Sequence, residues 1–352
     1  MQLFRKSQSI IGLDIGTSMI KAAKMSTKGD VYHLEKFALE HIEEGAIQSG
    51  EIKDTSSLAQ SALNAVDKCD PNIRDVAVAL PNYSILSDVL RIEYIPEKKK
   101  KQLRETVMVE AEQIAPFDMS EVEIDYEVLE RNAEENQMKV LMVAAKHDII
   151  LSYIDCLNEA GLRTMIMDVD LFSLLNIFQL NYDAENYSSV IVINIGTDTT
   201  DAAFLQHGIF ISARDIPVVG SNYQSGLGLL PDMTPEKLHN ILNGKIDPGL
   251  DVEMIAPSLN KVSSDFANAI GTAVSYFQSS GVTERIDLIV LAGGYTQVPG
   301  LVNILELRTG AEVVILNPFN RITYAEDILS ESDEEKMGTI LSVAMGLATR
   351  TV

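Results

Sequence analysis

The sequence has little of what would mark an extracellular or membrane-embedded protein. It contains no tryptophan and two cysteines, Cys69 and Cys156, which stand in no metal-binding or redox motif. Free thiols in a reducing compartment are therefore favoured over a disulfide. The start, MQLFRKSQS, has two cations but no apolar stretch of signal-peptide length, and no run approaches the ~20 apolar residues that span a bilayer. We expect a soluble, cytoplasmic protein.

Positive charge is also scarce. Lysine and arginine number 28 against 51 aspartate and glutamate residues, which gives a formal net charge of -23. Phosphate backbones and anionic lipid surfaces repel such a protein, so we expect no nucleic-acid partner and membrane contact only through other proteins. The apolar content of 46% fits a folded chain, and 352 residues are enough for two lobes.

Two short stretches carry the same motif, at residues 11–18 and 192–199. Each is an apolar, β-branched run that ends in a glycine and small hydroxyl residues, and a second apolar run follows. This pattern predicts a β-hairpin whose turn directs backbone N–H groups and hydroxyls at one point, which suits a phosphate. Asp14 and Asn194 hold equivalent places in the two copies, so we expect a duplicated fold with one copy in each lobe.

Two charged residues of the first motif have alternative interpretations. Asp14 is an acidic residue in an otherwise apolar strand, and it either caps the turn or holds Mg²⁺, through water, beside a phosphate. Lys21 lies on the return strand, and it either reaches back to a phosphate oxygen or is a solvated lysine at the sheet edge. The spacing alone leaves both pairs of alternatives open.

The range from Pro81 to about Gly161 changes in character. Its pattern predicts strand, helix, strand, strand and helix, which together form a compact inserted αβ unit. The first of these helices opens with four lysines at 98–101, an order of charge that opposes the helix dipole. This run is either a solvated first turn or a docking surface for an acidic partner.

Outside the inserted unit, periodicity predicts more strands and helices. A buried strand is expected at 164–168, a helix with little charge at 170–180, and a final helix at 339–350. A long amphipathic helix is expected at 251–280. The stretch 220–249 is rich in glycine, proline, asparagine and aspartate, and it is only weakly periodic.

A third motif ends an apolar strand with Gly293 and Gly294, just before a helix that is expected to begin near Leu301. Paired glycines let a flat ring or a sugar approach the backbone, although tight turns also use them. The order of hairpin, hairpin and strand–Gly–Gly–helix resembles that of the actin-like ATPases, the clan that includes actin, sugar kinases and the Hsp70 ATPase domain.

This resemblance implies a fold and a ligand. The fold would be α/β, an actin-like two-lobed ATPase built from duplicated ribonuclease H-like domains, with ATP or ADP and Mg²⁺ in the cleft between the lobes. Asp14 would hold the Mg²⁺ through water. The residues implied to contact the nucleotide are Gly16, Thr17, Ser18 and Lys21 in the first hairpin, Gly196, Thr197, Asp198 and Thr199 in the second, and Gly293 and Gly294 at the adenosine.

Several further stretches resemble the PilM family of type IV pilus assembly, namely 109–117, 121–129, 140–172, 317–319 and 344–350. The family resemblance implies a cytoplasmic ATP-binding scaffold. It would bind the N-terminal cytoplasmic tail of the inner-membrane protein PilN in a groove between the first lobe and the inserted subdomain. It would thereby link the alignment complex to the pilus motor. Contacts with the motor ATPases or the platform protein, and self-association, are further interactions that the resemblance suggests.

PilM is similar in fold to FtsA, whose inserted αβ subdomain the unit at 81–161 would match. The predicted core of the first lobe comprises 1–80, 162–188 and 325–352. The predicted second lobe comprises 189–324 and includes a helical subdomain at about 220–283.

One position departs from the actin-like pattern. Asn194 stands where the second hairpin normally has an aspartate that helps to hold Mg²⁺ and to orient the attacking water. Asparagine is neutral and cannot act as a base, and losing one such group commonly costs ~10²–10⁴ in rate. We therefore expect slow hydrolysis of the nucleotide or none, unless Asp198, Asp168 or Asp170 compensates.

Two other functions remain as alternatives. A small-molecule kinase of the same clan would need a general base directed at a substrate hydroxyl, and no residue in the sequence is marked for that role. A filament-forming protein similar to FtsA would be expected to end in a basic amphipathic membrane helix, and residues 344–352 do not have that pattern.

Overall fold

The computed structural model describes residues 10–48, 50–116, 118–231, 233–245, 252–279, 285–325, 327–330 and 333–350. The strands are β1 (Ile11–Ile15), β2 (Met19–Lys28), β3 (Val31–His41), β4 (Ile47–Gln48), β5 (Glu51–Ile52), β6 (Asp75–Leu80), β7 (Ile85–Glu93), β8 (Val122–Asn132), β9 (Gln137–Lys146), β10 (Arg163–Val169), β11 (Ser189–Ile195), β12 (Thr200–Gln206), β13 (Ile209–Asp215), β14 (Leu288–Gly293), β15 (Glu312–Ile315) and β16 (Thr323–Tyr324). The helices are α1 (Thr55–Cys69), α2 (Lys100–Ile114), α3 (His147–Glu159), α4 (Asp170–Asn181), α5 (Gly220–Gly228), α6 (Pro235–Leu242), α7 (Val252–Ser279), α8 (Leu301–Thr309) and α9 (Glu334–Ala348). Across these residues, no helix is both long enough and apolar enough to cross a membrane.

The two larger sheets repeat one arrangement of strands. Their orders are β10-β6-β1-β2-β3-β16 and β13-β12-β11-β14-β15. In each sheet, a central strand (β1 or β11) pairs antiparallel with the strand that follows it and parallel with a later strand (β6 or β14). A third strand (β3 or β13) then adds antiparallel to the hairpin. The strand order therefore shows the duplication that the two sequence motifs predict.

Both predicted hairpins are confirmed, and both turns close in the same way. The N–H of Gly16 donates to the carbonyl oxygen of Met19 at 3.1 Å, and the N–H of Gly196 donates to that of Thr199 at 2.8 Å. β1 is buried along its whole length and β11 along nearly all of it, because layers of helices cover both faces of each sheet. Continuous apolar runs in the sequence reflect this burial.

Helices α4 and α9 pack against each other and against both large sheets. Two glycines make this packing close. A Cβ added to Gly346 in α9 would lie 2.0 Å from the carbonyl oxygen of Ser173 in α4, and one added to Gly12 in β1 would lie 2.0 Å from that of Ala344. The backbones therefore meet at a distance that only glycine allows, which fixes the positions of the sheets around the helix pair.

A third sheet, with the order β7-β9-β8, lies within the range predicted for the inserted subdomain. With α2 it forms a separate apolar cluster that includes Leu90, Leu103, Val107 and Met142. Helix α3 was predicted to belong to this unit, but its buried residues pack with α1 and β1 in the cluster of the first sheet. The separate core thus ends near Lys146 rather than Gly161. The other predicted domain limits stay predictions.

Three further expectations need correction. The strand predicted as buried at 164–168 forms β10 at an edge of its sheet, and of its residues only Val169 is buried, because β6 is its one neighbour among the described strands. The final helix begins at Glu334 rather than at residue 339. β16 pairs with β3, so the chain rejoins the first sheet at Thr323, before the predicted boundary at 325.

The close contact between α9 and α4 predicts opposite outcomes for two helical glycines. We expect Gly346→Ala to lower the free energy of unfolding by about 1–3 kcal/mol, because its methyl group overlaps the backbone of Ser173. Gly271→Ala in α7 is the matched control, since no atom lies within 4 Å of its added Cβ, and it should be neutral or gain up to about 1 kcal/mol. Urea unfolding measures both, and equal effects would contradict this account of the packing.

Candidate functional site

A cavity of about 580 Å³ lies where the turns of the two hairpins face each other. Its volume is in the usual range for small-molecule sites, about 300–1,000 Å³. Ten of the eleven residues predicted for the ligand and metal site line it, namely Asp14, Gly16, Thr17, Ser18, Lys21, Gly196, Thr197, Thr199, Gly293 and Gly294. The eleventh, Asp198, lies in the second turn but is not part of the cavity wall. The three motifs thus converge on one cavity.

The two turns touch at their hydroxyl groups. The Oγ of Ser18 and the Oγ1 of Thr197 are 3.0 Å apart and share a hydrogen bond. Within the described residues, the backbone N–H groups of Thr17 and Ser18 have no protein acceptor. The second turn is held in place because N–H groups at the start of α5 donate to the carbonyl oxygens of Gly196 and Thr197. Hydroxyls and N–H groups that converge in this way are suited to oxyanions.

Asp14 and Lys21 form an ion pair inside the cavity, with 2.9 Å between Lys21 Nζ and Asp14 Oδ2. The Lys21 side chain is only 20% exposed, which excludes the alternative of a solvated edge lysine. In the described residues, no group of three or more His, Cys, Asp or Glu side chains is placed to hold a metal. A Mg²⁺ beside Asp14 would take its other ligands from phosphates and water, which is how this ion usually binds beside nucleotides.

The glycine turn forms another part of the wall. Gly293 has a φ of +95°, and an added Cβ would lie 2.4 Å from the carbonyl oxygen of Ile195, so only glycine fits there. Next to it, an added Cβ on Gly294 would meet open space. Apolar side chains from α6 and α9 line the same cavity, including Leu238, Leu242 and Met337. A flat ring can lie between these apolar side chains and the glycine backbone.

The carboxylates proposed to compensate for Asn194 occupy different places. Asp170, at the start of α4, lines the cavity together with Asn194. Asp168 does not line it, because it is bonded to Arg350 at 2.6 Å and to the hydroxyl of Ser173 at 3.0 Å. Asp198 is also outside the wall. Of the three, the structure brings only Asp170 into the cavity.

Next to the cavity, three acidic residues accept hydrogen bonds from one asparagine, and Asp201 is the buried one among them. The side chain of Asn82 donates to Asp201 at 3.3 Å and to Asp215 at 3.2 Å, and its backbone N–H donates to Asp170 at 2.9 Å. Burial, with the charges of Asp170 and Asp215, raises the pKa of Asp201 to about 9. Burial, with the charge of Asp14, raises the pKa of Asp170 to about 7.

Sequence reasoning missed several of these residues. Asp201 carried a usable signal, since it is an acidic residue in an apolar strand, the same observation that marked Asp14. Asn82, Tyr83 and Tyr153 carried none, because the structure brings them to the cavity region from separate elements of the chain. The cavity walls from α6 and α9 were missed for the same reason.

The duplicated sheets, the paired hairpin turns and the cavity between them define the chain as a member of the actin-like ATPase fold class. Solved structures agree with this assignment. The ethanolamine utilization protein EutJ from Carboxydothermus hydrogenoformans is similar with a TM-score of 0.57 at 13% identity, covering 97% of this chain and 89% of that one. MreB5 of Spiroplasma citri bound to ADP is similar with a TM-score of 0.54 at 11% identity, covering 97% and 95%.

The family is narrower than the fold class. The family model for type IV pilus assembly protein PilM matches residues 12–352, and the chain belongs to that family. The solved structure of a PilM-PilN type IV pilus biogenesis complex is similar to it with a TM-score of 0.82 at 21% identity, covering 96% of this chain and 97% of that chain.

The raised pKa values predict that stability falls as pH rises. An aspartate has an ordinary pKa of 3.8, so above about pH 4 the folded chain keeps protons that the unfolded chain has released, on Asp170 up to about pH 7 and on Asp201 up to about pH 9. The free energy of unfolding that these groups contribute therefore decreases with pH across that window. We expect Asp201→Asn to flatten the decline above about pH 7, because the amide does not titrate.

Urea unfolding across this range measures the effect. The control is Asp30→Asn on an exposed turn, which should leave the decline in place. A decline of the same slope in Asp201→Asn would show that another group causes it.

Proposed function

We propose that the cavity binds ATP or ADP with Mg²⁺. The observation that carries this proposal is the meeting of two hairpin turns at Ser18 and Thr197, beside the ion pair of Asp14 and Lys21. The phosphates would be held by Gly16, Thr17, Ser18 and Lys21 from one side and by Gly196, Thr197 and Thr199 from the other. Gly293 and Gly294 would take the adenosine, and Asp14 would hold Mg²⁺ through water. Asp198 is proposed as a contact through its backbone, since its side chain is not in the wall.

We infer that hydrolysis is slow or absent. Asn194 lines the cavity and has no charge with which to activate water. Asp170 lines the same cavity, and a carboxyl group with a pKa near 7 can accept a proton, so it is the group that would support residual turnover. Steady release of free phosphate over many turnovers would contradict this inference.

We propose that the nucleotide-bound protein acts as a scaffold rather than as a metabolic enzyme. Membership of the PilM family and the likeness to a solved PilM-PilN complex support PilN as the partner. The chain would capture the N-terminal cytoplasmic tail of PilN and would reach the inner face of the inner membrane through it. Contacts with the motor ATPases and the platform protein, and self-association, belong to the same proposal. The small-molecule kinase and the FtsA-like filament are not favoured by these comparisons.

The position of the tail follows from the family resemblance, which implies a groove between the first lobe and the inserted subdomain. Two exposed apolar side chains lie on elements of the first lobe that pack together, Leu151 on α3 and Met165 on β10. Leu151 is 53% exposed, so its side chain is open to a partner and can be replaced without disturbing the core. We choose it to test the groove.

The role of Lys21 predicts a specific loss of nucleotide affinity. We expect Lys21→Met to weaken ATP–Mg²⁺ binding about 10- to 100-fold, because a charge-assisted hydrogen bond to a phosphate is lost. Lys24→Met is the matched control on the same strand, since Lys24 pairs with Glu35 at 2.8 Å and with Asp70 at 3.2 Å, outside the cavity. Calorimetric titration with ATP–Mg²⁺ measures both. Equal losses in the two variants would show that Lys21 acts through the fold and not through the ligand.

The scaffold predicts saturable binding of a peptide that copies the cytoplasmic tail of PilN from the same genome. We expect Leu151→Glu to weaken this binding about tenfold or more, because a charge replaces an apolar contact. Leu307 lies on α8, which packs beside the second large sheet, and it is 87% exposed. Leu307→Glu is therefore the matched control, and this variant should bind the peptide normally.

Calorimetry with and without ATP–Mg²⁺ shows in addition whether nucleotide changes the affinity. The absence of peptide binding in both states would overturn the PilN proposal and leave the nucleotide site standing.

A further inference from the structure

Asn82 joins three parts of the molecule that are distant in sequence. It lies in a single 3₁₀ turn, two residues after the last residue of β6 and three residues before β7, the first strand of the inserted sheet. Its backbone N–H donates to Asp170 at the start of α4. Its side-chain Nδ2 donates to Asp201 in β12 and to Asp215 at the end of β13, both in the second large sheet. Asn82 therefore forms hydrogen bonds to both lobes, and the chain leads from it directly into the inserted sheet.

The hydrogen bond to Asp201 is buried, the bond to Asp215 is partly buried, and one side-chain oxygen of the cluster has no partner among the described residues. Asn82 is 7% exposed and Asp201 is 1% exposed. The Oδ1 of Asn82 has no hydrogen-bond partner among the described residues. The buried carboxyl group of Asp201 thus accepts from the amide of Asn82 in a region of low dielectric, where each hydrogen bond gained or lost has a large effect. Asp215 lies at the exposed end of β13, and Asp170 also accepts from the N–H of Leu171 at 2.6 Å.

The cluster is adjacent to the nucleotide cavity and to the inserted sheet. Asp170 lines the cavity, and so do Pro81 and Tyr83, the chain neighbours of Asn82, whereas Asn82 itself does not. On the other side, β7 packs against β13, the strand that ends in Asp215. A change in the separation of the two large sheets would therefore act on Asn82 and on the β7–β13 contact together.

We propose that Asn82 is a positioning residue that couples occupancy of the nucleotide cavity to the placement of the inserted sheet. The inference rests on the proposed binding of nucleotide between the two hairpins. Two states differ in the side-chain bonds of Asn82. In the latched state both bonds to Asp201 and Asp215 are made; in the unlatched state the second sheet has moved away and they are broken. These bonds are already 3.2–3.3 Å long, so a shift of a few tenths of an ångström breaks them.

A ligand held by both hairpins favours one separation of the sheets over others. It would therefore favour the latched state, and this difference in affinity is what coupling requires. The inserted sheet then responds through the chain at Asn82 and through β13. The charged and titratable groups around the cluster are Asp170, Asp201, Asp215, Asp14, Lys21, Asp198, Tyr83 and Tyr153.

Hydrogen exchange of the full chain, read in β7 and β13 with and without ATP–Mg²⁺, tests the coupling. In the unmodified protein we expect nucleotide to slow exchange in β7 about fivefold or more, in line with usual coupling factors. In Asn82→Ala the nucleotide should still bind, measured by calorimetry, but β7 should no longer respond. Ser84→Ala is the matched control in the same turn, since the Ser84 hydroxyl donates to the Pro81 carbonyl oxygen at 2.7 Å, and it should keep the response.

Asn82→Asp separates positioning from general damage to the fold. A carboxylate cannot donate a hydrogen bond, but a protonated carboxyl can donate one. We expect this variant to keep the β7 response at about pH 5 and to lose it at about pH 10, above the pKa of about 9 of the neighbouring Asp201, whereas Asn82→Ala loses it at both. This pH-dependent rescue would not occur if Asn82 only stabilised the turn.

The outcomes distinguish this inference from the proposed function. If the unmodified protein does not bind ATP–Mg²⁺, the proposed function fails. If it binds but β7 exchange does not change, or if the change persists in Asn82→Ala, the coupling is overturned while the nucleotide site stands. If Asn82→Ala does not fold, Asn82→Asp at the two pH values decides the question alone.

Discussion

The close packing of α4 and α9 between the two large sheets is the constraint on which the rest of the structure depends. The backbones of these helices approach each other and β1 at positions that only Gly346 and Gly12 allow. Because the helices also contact the second sheet, they fix the distance between the two hairpins, each of which belongs to one of the sheets. The turns then meet at Ser18 and Thr197, and the cavity forms between them. The rigid packing of the helices thus determines where the two turns of the site lie.

The parts of the site that could be predicted from sequence are those in which local chemistry is decisive. A β-branched run, a glycine and a hydroxyl residue specify a hairpin turn regardless of the rest of the chain. For this reason both hairpins could be predicted from the residues alone, whereas Lys21 and the glycine pair were assigned to the cavity through the resemblance to the actin-like ATPases. The family assignment was also accessible, because its matching segments are spread over most of the chain and the family model covers residues 12–352.

The parts that could not be predicted are those set by contacts between distant elements. Asn82 acquires its role only when Asp201 and Asp215 reach it from more than a hundred residues away. Helix α3 follows the inserted sheet in sequence, yet its apolar face finds the larger cluster beside α1. The strand at β10 is apolar enough to be central but has only β6 beside it, since sheet order and not composition decides which strand is the edge. Sequence periodicity does not indicate the partners of Asn82, the packing of α3 or the edge position of β10.

The ion pair of Asp14 and Lys21 affects how a ligand reaches the cavity. The positive charge of Lys21 is already balanced, Asp170 lies in the same wall, and the whole chain carries a net charge of -23. For the proposed nucleotide ligand, a free anion would approach against a repulsive field, and counter-ions that screen this field would increase its association rate. A divalent cation that travels with the phosphates removes much of the repulsion. If the cavity binds nucleotide with magnesium as proposed, the occupied fraction of the protein would depend on the concentrations of both free magnesium and nucleotide.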